Sequence, residues 1–315
     1  MSFGILYLII IYFYKFQNTM KKSIFMISAA LMLGLTSCYE PVSGSSYEEE
    51  ETAVSANTKK FTFTLKGDFS DEWKPVTRGY LQSDGKDMTD VWVLDYDAEG
   101  DLLQQVHQSE NTAEDFGKPV MNLAYGSHHI YFIASRGVNP VLDTEAHTLT
   151  FGSVRDTFWK DYEVNVVSTS NGNRAVTLDR VVTKLRLTFT DEVPAAANSI
   201  SIVPHTWYYG LDYLTGQPAS VRTDAATVIT IPDASKGQTG IQASLFGFST
   251  AEEWNTDVVI SSRTATDAVL GSATIAAAPF KANRVSDYSG PLFSAGGSMS
   301  LSLNGEWITP YEGTW

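Results

Sequence analysis

The chain contains a single cysteine, Cys38, among its 315 residues, so it cannot form an internal disulfide bond. Its stability must therefore come from side-chain packing and from hydrogen bonds between strands. Basic residues are also scarce: from Cys38 onward, 19 Lys and Arg stand against 36 Asp and Glu, a net charge of −17. Nucleic-acid binding requires basic patches that displace counterions from phosphates, and a charge of this sign repels phosphate. We therefore exclude nucleic acid as a partner.

The sequence also lacks the short motifs that mark common active sites. It has no Gly-x-Ser-x-Gly elbow, no His-Glu-x-x-His zinc pair and no Walker loop. Its five histidines have no metal-ligand spacing. His128 and His129 are adjacent on a predicted strand, so their side chains project to opposite faces and cannot bind one ion together. We predict a protein with no enzymatic activity, no cofactor and no metal centre.

One acidic stretch resembles part of a metal-binding loop. Asp95, Asp97, Glu99 and Gly100 resemble the start of a calcium-binding EF-hand loop. The twelfth position of that loop requires a bidentate glutamate, and here it is Val106. We therefore interpret the stretch as an exposed acidic hairpin turn, with adventitious calcium binding as the alternative.

The N-terminus has the pattern of a secretory signal. Lys21 and Lys22 precede an apolar run at residues 24–35, which is short for a membrane span. The run ends in Leu-Thr-Ser-Cys at residues 35–38, which resembles the bacterial lipobox. In that family the cysteine thiol is diacylated with chains such as palmitate, and the signal is cut before the cysteine. The resemblance implies cleavage between Ser37 and Cys38, removal of residues 1–37, and a lipid anchor in the outer membrane.

Residues 1–19 precede Met20, and we interpret their presence as the result of a start codon assigned too early. Two or more acyl chains on Cys38 hold a protein stably at a membrane, whereas one chain holds it only marginally. The alternatives for Cys38 are a buried free cysteine and the end of an uncleaved apolar helix.

Residues 38–60 are rich in Ser, Glu, Gly and Pro, and they include an acidic block at residues 48–51. Such a composition cannot bury enough apolar area to offset the entropy of ordering. We predict a disordered acidic linker. Acidic residues soon after a lipidated cysteine also resemble the surface-export signals of Bacteroidota lipoproteins. The alternative is a linker whose charges serve only to keep it solvated.

The rest of the sequence is typical of short strands separated by turns, with no sustained 3.6-residue period. Residues 61–65 alternate so that Phe61, Phe63 and Leu65 share one face. Residues 88–96 alternate in a way that leaves both faces partly covered, and residues 181–190 form the strongest later pattern. Further strands are predicted at residues 102–106, 121–124, 129–134, 148–151, 162–167, 175–178, 199–203, 227–231, 241–248, 257–262, 268–276 and 298–303. The pattern predicts an all-β fold of two tandem Greek-key sandwiches, at residues 61–178 and 179–315.

Several of these stretches together resemble the fimbrillin-type fimbrial subunits and anchors of Bacteroidota, which are lipoprotein precursors built from two transthyretin-like sandwiches. Besides the lipobox, the resemblance rests on residues 90–96 with Gly100, residues 125–126, 178–185, 282–284 and 288–293. In that family a trypsin-like protease cuts polymerising subunits after an arginine, which removes the first strand. The exposed groove then accepts a strand from a neighbouring subunit. The resemblance places Arg78 at the cleavage position, and the alternative is an ordinary loop arginine.

The end of the chain favours one role within such a fimbrium. After residues 298–303 only residues 304–315 remain, and Gly305, Pro310 and Gly313 interrupt them. That tail is a poor donor strand. We therefore expect a non-enzymatic, lipid-anchored surface protein of the outer membrane and fimbrium. It would accept a strand from other fimbrial subunits, as an anchor or accessory subunit, with a host protein or glycan as the adhesive target.

Two alternatives stay open. The first is a polymerising fimbrial subunit that is processed after Arg78. The second is a surface glycan-binding lipoprotein that stacks sugars on Trp207, Tyr208 and Tyr209, three consecutive aromatic residues and the best candidate for such a surface. The same three residues could instead fill a sandwich core, because aromatic side chains are favoured in strands and in cores.

Overall fold

The computed structural model describes residues 57–67, 79–80 and 88–294. Cys38, Arg78 and the predicted strand at residues 298–303 lie outside these ranges. Within them the secondary structure comprises twenty β-strands and one 3-10 helix, Asp233–Ser235. No helical segment in these ranges has the length and hydropathy needed to span a membrane. The all-β prediction is confirmed.

Two sheets from the first half of the chain pack face to face as a sandwich. In sheet I the central strand is β1 (Thr58–Gly67), which pairs with β2 (Gly79–Tyr80), β5 (Val120–Ala124) and β10 (Asn173–Thr177). Sheet II has the spatial order β11 (Asp179–Arg180), β9 (Thr157–Val166), β6 (Gly126–Ser135), β3 (Asp90–Tyr96) and β4 (Leu102–Ser109). Alternate residues of both sheets point inward and form one buried cluster, which includes Phe61, Phe63, Val93, Ile130 and Phe132.

Two sheets from the second half form a second sandwich. Sheet III has the order β17 (Ile241–Phe248), β12 (Val182–Phe189) and β20 (Val285–Gly290). Sheet IV has the order β16 (Thr227–Thr230), β13 (Ser199–Pro204), β18 (Trp254–Arg263) and β19 (Val269–Phe280). Its buried cluster includes Leu185, Leu187, Phe189, Ile202 and Ile260.

The two halves follow the same seven-strand plan. In each half the first strand lies parallel to the last strand on one side and antiparallel to the fourth strand on the other. Thus β1 lies between β10 and β5, and β12 lies between β20 and β17. The facing sheets have the orders β9-β6-β3-β4 and β19-β18-β13-β16, which are equivalent when the strands of each half are numbered along the chain. The halves are therefore structural repeats.

Each half carries one additional hairpin, and the two hairpins pair into a single shared sheet. Its strands, in spatial order, are β15 (Gln217–Thr223), β14 (Thr206–Asp212), β8 (Thr148–Ser153) and β7 (Val138–Asp143). The central pairing joins β8 to β14 in antiparallel register, from Gly210 opposite Thr150 to Asp212 opposite Thr148. The shared sheet packs on the face of sheet II that points away from sheet I, where it buries Trp92 and Leu94. The expected double cover of residues 88–96 is therefore confirmed, since every residue of β3 after Asp90 is buried.

The strands of the shared sheet are the hardest to predict from the sequence. Neither hairpin was predicted in full: β8 was expected, but β7, β14 and β15 were not. Two of these strands contain a proline, Pro140 and Pro218, which argues against a central strand, and both strands lie at the edges of the shared sheet. The short strands β2 and β11 and the strand β20 were also not predicted. The domain boundary between Leu178 and Asp179 stays a prediction.

Candidate functional site

The position of β1 between β5 and β10 in sheet I, called its seat below, is the part of the fold that the predicted strand exchange would involve. Phe61, Phe63 and Leu65 are fully buried and point into the first sandwich. The Phe63 ring stands edge-on to Phe132 and to Tyr162, with ring centroids 5.0 and 6.1 Å away. The period-two alternation of this strand therefore places three buried apolar side chains along one face.

Backbone hydrogen bonds hold β1 along both of its edges. On the β10 side, the Thr62 amide donates to the carbonyl of Gly172 over 2.7 Å. On the β5 side, the Phe63 and Leu65 amides donate to the carbonyls of Pro119 and Gly117, at 3.0 and 3.1 Å. Gly172 also permits a close approach, because a Cβ there would lie 2.3 Å from the Lys60 carbonyl oxygen.

In the described part of the chain, the next strand after β1 is the short strand β2. Gly79 and Tyr80 pair antiparallel with Gly67 and Lys66 at the end of β1. The chain that follows position 78 therefore returns beside β1. A cut at that position would leave β1 attached to the sandwich by noncovalent contacts alone. Its removal would open a groove with β5 and β10 as free edges and the sandwich core as its floor.

The second half contains an equivalent strand, β12, with Leu185, Leu187 and Phe189 fully buried between its neighbours. Just after it, Asp191 binds the residues that follow β20. Its carboxylate accepts hydrogen bonds from the amides of Leu292, Phe293 and Ser294, at 3.0, 2.6 and 2.8 Å. Burial raises the pKa of Asp191, but these amides and the Ser294 hydroxyl outweigh it, so the pKa lies below its ordinary value.

A buried arginine joins residues from distant parts of the sequence. Arg180 makes two hydrogen bonds to the Asp156 carboxylate, at 2.7 and 2.9 Å, and a third, at 3.1 Å, to the side-chain oxygen of Asn283. The Arg180 and Asp156 side chains are 5% and 3% exposed. The guanidinium also lies 4.7 Å from the centroid of the Phe158 ring. Two separate stretches that carry the family resemblance, residues 178–185 and 282–284, therefore meet at this contact.

The aromatic cluster lies on β14 and makes intramolecular contacts. Trp207 is 7% exposed, and its indole N–H donates to the Phe246 carbonyl over 3.0 Å. Its ring lies edge-on to Phe280, with centroids 5.0 Å apart. Tyr208 and Tyr209 are half-buried, and the Arg222 guanidinium lies 3.8 Å from the centroid of the Tyr209 ring. Ligand binding by these three residues stays a prediction.

The acidic hairpin turn is only partly as expected. Asp97 is partly open to solvent, and its carboxylate accepts the amides of Glu99 and Asp101, at 3.0 and 2.8 Å. Asp95, in contrast, is fully buried beside His128, with 2.7 Å between Oδ1 and Nδ1. The expectation of an exposed turn is therefore wrong for Asp95, because β3 is covered on both faces. Burial raises the pKa of Asp95, and the hydrogen bonds from His128 and Gln104 oppose that rise.

These features define the chain as an all-β protein of repeated sandwiches, with an N-terminal strand seated between two others. No protein-family model and no curated protein matches it. Among solved structures, a protein from Bacteroides ovatus described as an adhesin gives a TM-score of 0.50 at 13% identity, over 81% of this chain and 96% of its own. This similarity establishes the fold.

Two further structures have lower scores. A protein from Bacteroides thetaiotaomicron described as polysaccharide-binding gives a TM-score of 0.46 at 12% identity, over 75% of this chain and 92% of its own. The fimbrial anchor protein Mfa2 from Porphyromonas gingivalis gives 0.42 at 8% identity, over 68% of this chain and 81% of its own.

Proposed function

We propose that this chain is a non-enzymatic surface subunit of a fimbrium, held at the outer membrane through lipid on Cys38, and that it serves as the anchor or as an accessory subunit. The observation that carries the proposal is the position of β1. It is the first strand of the described chain, it lies between two other strands, and it contributes three fully buried apolar side chains. Strand addition needs a seat of this kind, because main-chain bonds supply affinity and pockets for alternate side chains supply specificity.

The fate of the link between Cys38 and Arg78 separates the two fimbrial roles. If the link persists, the lipid makes the protein a permanent base, and an incoming strand has to displace β1 while β1 stays covalently attached. If the link is cut, the lipid serves only for delivery and the seat of β1 becomes available to a neighbouring subunit. Burial of Phe61, Phe63 and Leu65 is worth about 1.5–3 kcal/mol each, so only a strand with comparable apolar residues at alternate positions can displace β1.

Mass spectrometry of the protein taken from the cell surface tests the anchor role. We expect a mature N-terminus at acylated Cys38 and an unbroken chain through Arg78. A mature N-terminus at Gly79 would overturn the anchor role and support the polymerising subunit. The variant Cys38→Ala should lose membrane attachment while keeping its fold.

A matched pair of variants adds a functional test. Arg78→Ala removes the candidate cleavage position, and Lys74→Ala removes a basic residue four positions earlier in the sequence. For an anchor, both variants should support fimbriae as well as the parent does. Loss of fimbriae with Arg78→Ala alone would contradict the anchor role and show that processing is essential.

A further inference from the structure

Three potential metal ligands meet on two adjacent strands of sheet II. His129 on β6 lies directly opposite Glu163 on β9, and Asp161 precedes Glu163 by two residues. Because side chains alternate along a strand, all three project from the same face. His129 Nδ1 lies 3.9 Å from Asp161 Oδ1 and 3.8 Å from Glu163 Oε1.

The Asp161 carboxylate is incompletely satisfied. Its Oδ1 atom is buried, and no hydrogen-bond donor in the described ranges reaches it. Buried oxygens without a partner are uncommon in folded proteins and call for an explanation such as a bound ion. Burial is also the largest influence on the pKa of Asp161 and raises it; Glu163 raises it further, while His129 and Lys160 lower it.

The spacing of these atoms fits a small divalent cation. The three candidate ligand atoms lie within 4.8 Å of one another. In a tetrahedral zinc site with bonds of about 2.1 Å, neighbouring ligands are about 3.4 Å apart. The two His129 distances exceed that separation by about 0.5 Å, and closing a gap of 4.8 Å to it takes about 1.4 Å of combined side-chain movement. His129 and Asp161 are partly buried, and Glu163 is exposed, so solvent reaches the cluster and a cation can enter.

We propose that His129, Asp161 and Glu163 form a binding site for a divalent transition-metal ion, with Zn²⁺ as the best match. One imidazole nitrogen and two carboxylate oxygens suit zinc, whereas Ca²⁺ and Mg²⁺ prefer ligand sets made entirely of oxygen. Water would complete the fourth position of a tetrahedral zinc ion. The ion would link β6 to β9 and neutralise two adjacent carboxylates on an acidic protein.

Zinc titration of the full-length chain tests the site. Cys38→Ser is included in every sample, because a free thiol is itself a zinc ligand. We expect one Zn²⁺ per chain in competition with a chromophoric chelator, and at least a tenfold loss of affinity in His129→Gln and in Asp161→Asn. Zinc should also raise the unfolding temperature of the parent, since it binds only the folded state, and leave that of the two variants unchanged.

Two other histidine–carboxylate pairs provide matched controls. His107 lies 2.9 Å from Asp90, and His205 lies 3.0 Å from Asp224, and among the described residues each is paired with a single carboxylate. His107→Gln and His205→Gln should bind zinc as the parent does. Asp161→Asn should unfold no earlier than the parent without zinc, which separates loss of binding from loss of folding. The proposal is overturned if the parent binds no zinc, or if the control variants lose affinity as much as His129→Gln does.

Discussion

Replacing Phe63 with alanine should strongly weaken the seat of β1. The side chain is fully buried and contacts the rings of Phe132 and Tyr162. Truncating a buried phenylalanine removes its transfer free energy and leaves a cavity, at a cost of about 3–5 kcal/mol. Since domains are stable by only about 5–15 kcal/mol, the loss should be large relative to the whole.

Urea unfolding followed by tryptophan fluorescence measures this effect. The transition midpoint of Phe63→Ala should fall while the dependence on urea stays the same, because the surface exposed on unfolding is similar. Thr64→Ala is the matched control, since Thr64 is the next residue of β1 and lies on its partly exposed face. Its effect should stay within about 0.5 kcal/mol. Equal midpoints for the two variants would refute the described seating of β1.

The same substitution tests whether β1 can be exchanged. A recognition sequence for a site-specific protease, placed at residues 75–78, allows the chain to be cut after folding. The cut segment should stay bound in the parent and in Thr64→Ala during gel filtration. A loss of about 4 kcal/mol raises its dissociation constant about 1,000-fold, so the segment should separate from Phe63→Ala. Retention in Phe63→Ala equal to that in the parent would contradict the argument.

Three further predictions concern buried polar contacts, each measured by thermal or urea unfolding. Tyr213→Phe removes one partner of the 2.8 Å hydroxyl pair with Tyr96 and should cost about 1–3 kcal/mol, whereas changing both tyrosines to Phe should recover most of that loss. Arg180→Ala removes the guanidinium that makes two hydrogen bonds to the buried Asp156 carboxylate and should cost about 3–5 kcal/mol; a loss below about 1 kcal/mol would contradict the contact. Because the pKa of Asp191 is lowered in the fold, its ionised form stabilises the protein above the ordinary pKa of about 4. The stability gap between the parent and Asp191→Asn should therefore be present at pH 7 and shrink as the pH falls through the lowered pKa.

The sequence was most informative where one face of a strand is buried and the other is open. Phe61, Phe63 and Leu65 alternate with partly exposed residues, and residues 182–189 do the same, so period two predicted both strands. The shared sheet lacks this signal. Val138 and Val141 on β7 are 47% and 61% exposed, because β7 is an edge strand whose apolar residues are not sorted by face.

The polar contacts could not be derived from spacing along the chain. Arg180 and Asn283 are about a hundred residues apart, and only the return of β20 beside β12 brings them together. The same holds for His129 and Glu163, which become neighbours only through the register of β6 against β9. A search for paired histidines overlooks a site in which a single histidine is joined by carboxylates of another strand.

In the proposed strand exchange, only one of the two equivalent strands could be released by a single cut. Both β1 and β12 lie between a parallel and an antiparallel neighbour and contribute three fully buried apolar side chains. However, β12 lies in the middle of the chain: Arg180 is held just before it, and Asp191 binds the Leu292 amide just after it. No single cut could free β12 from both of these contacts. The covalent link between β1 and the rest of the sandwich runs through residues 68–78, so one cut at Arg78 would separate β1 from the chain that follows. If that link stays intact, it would join the sandwich to lipid on Cys38.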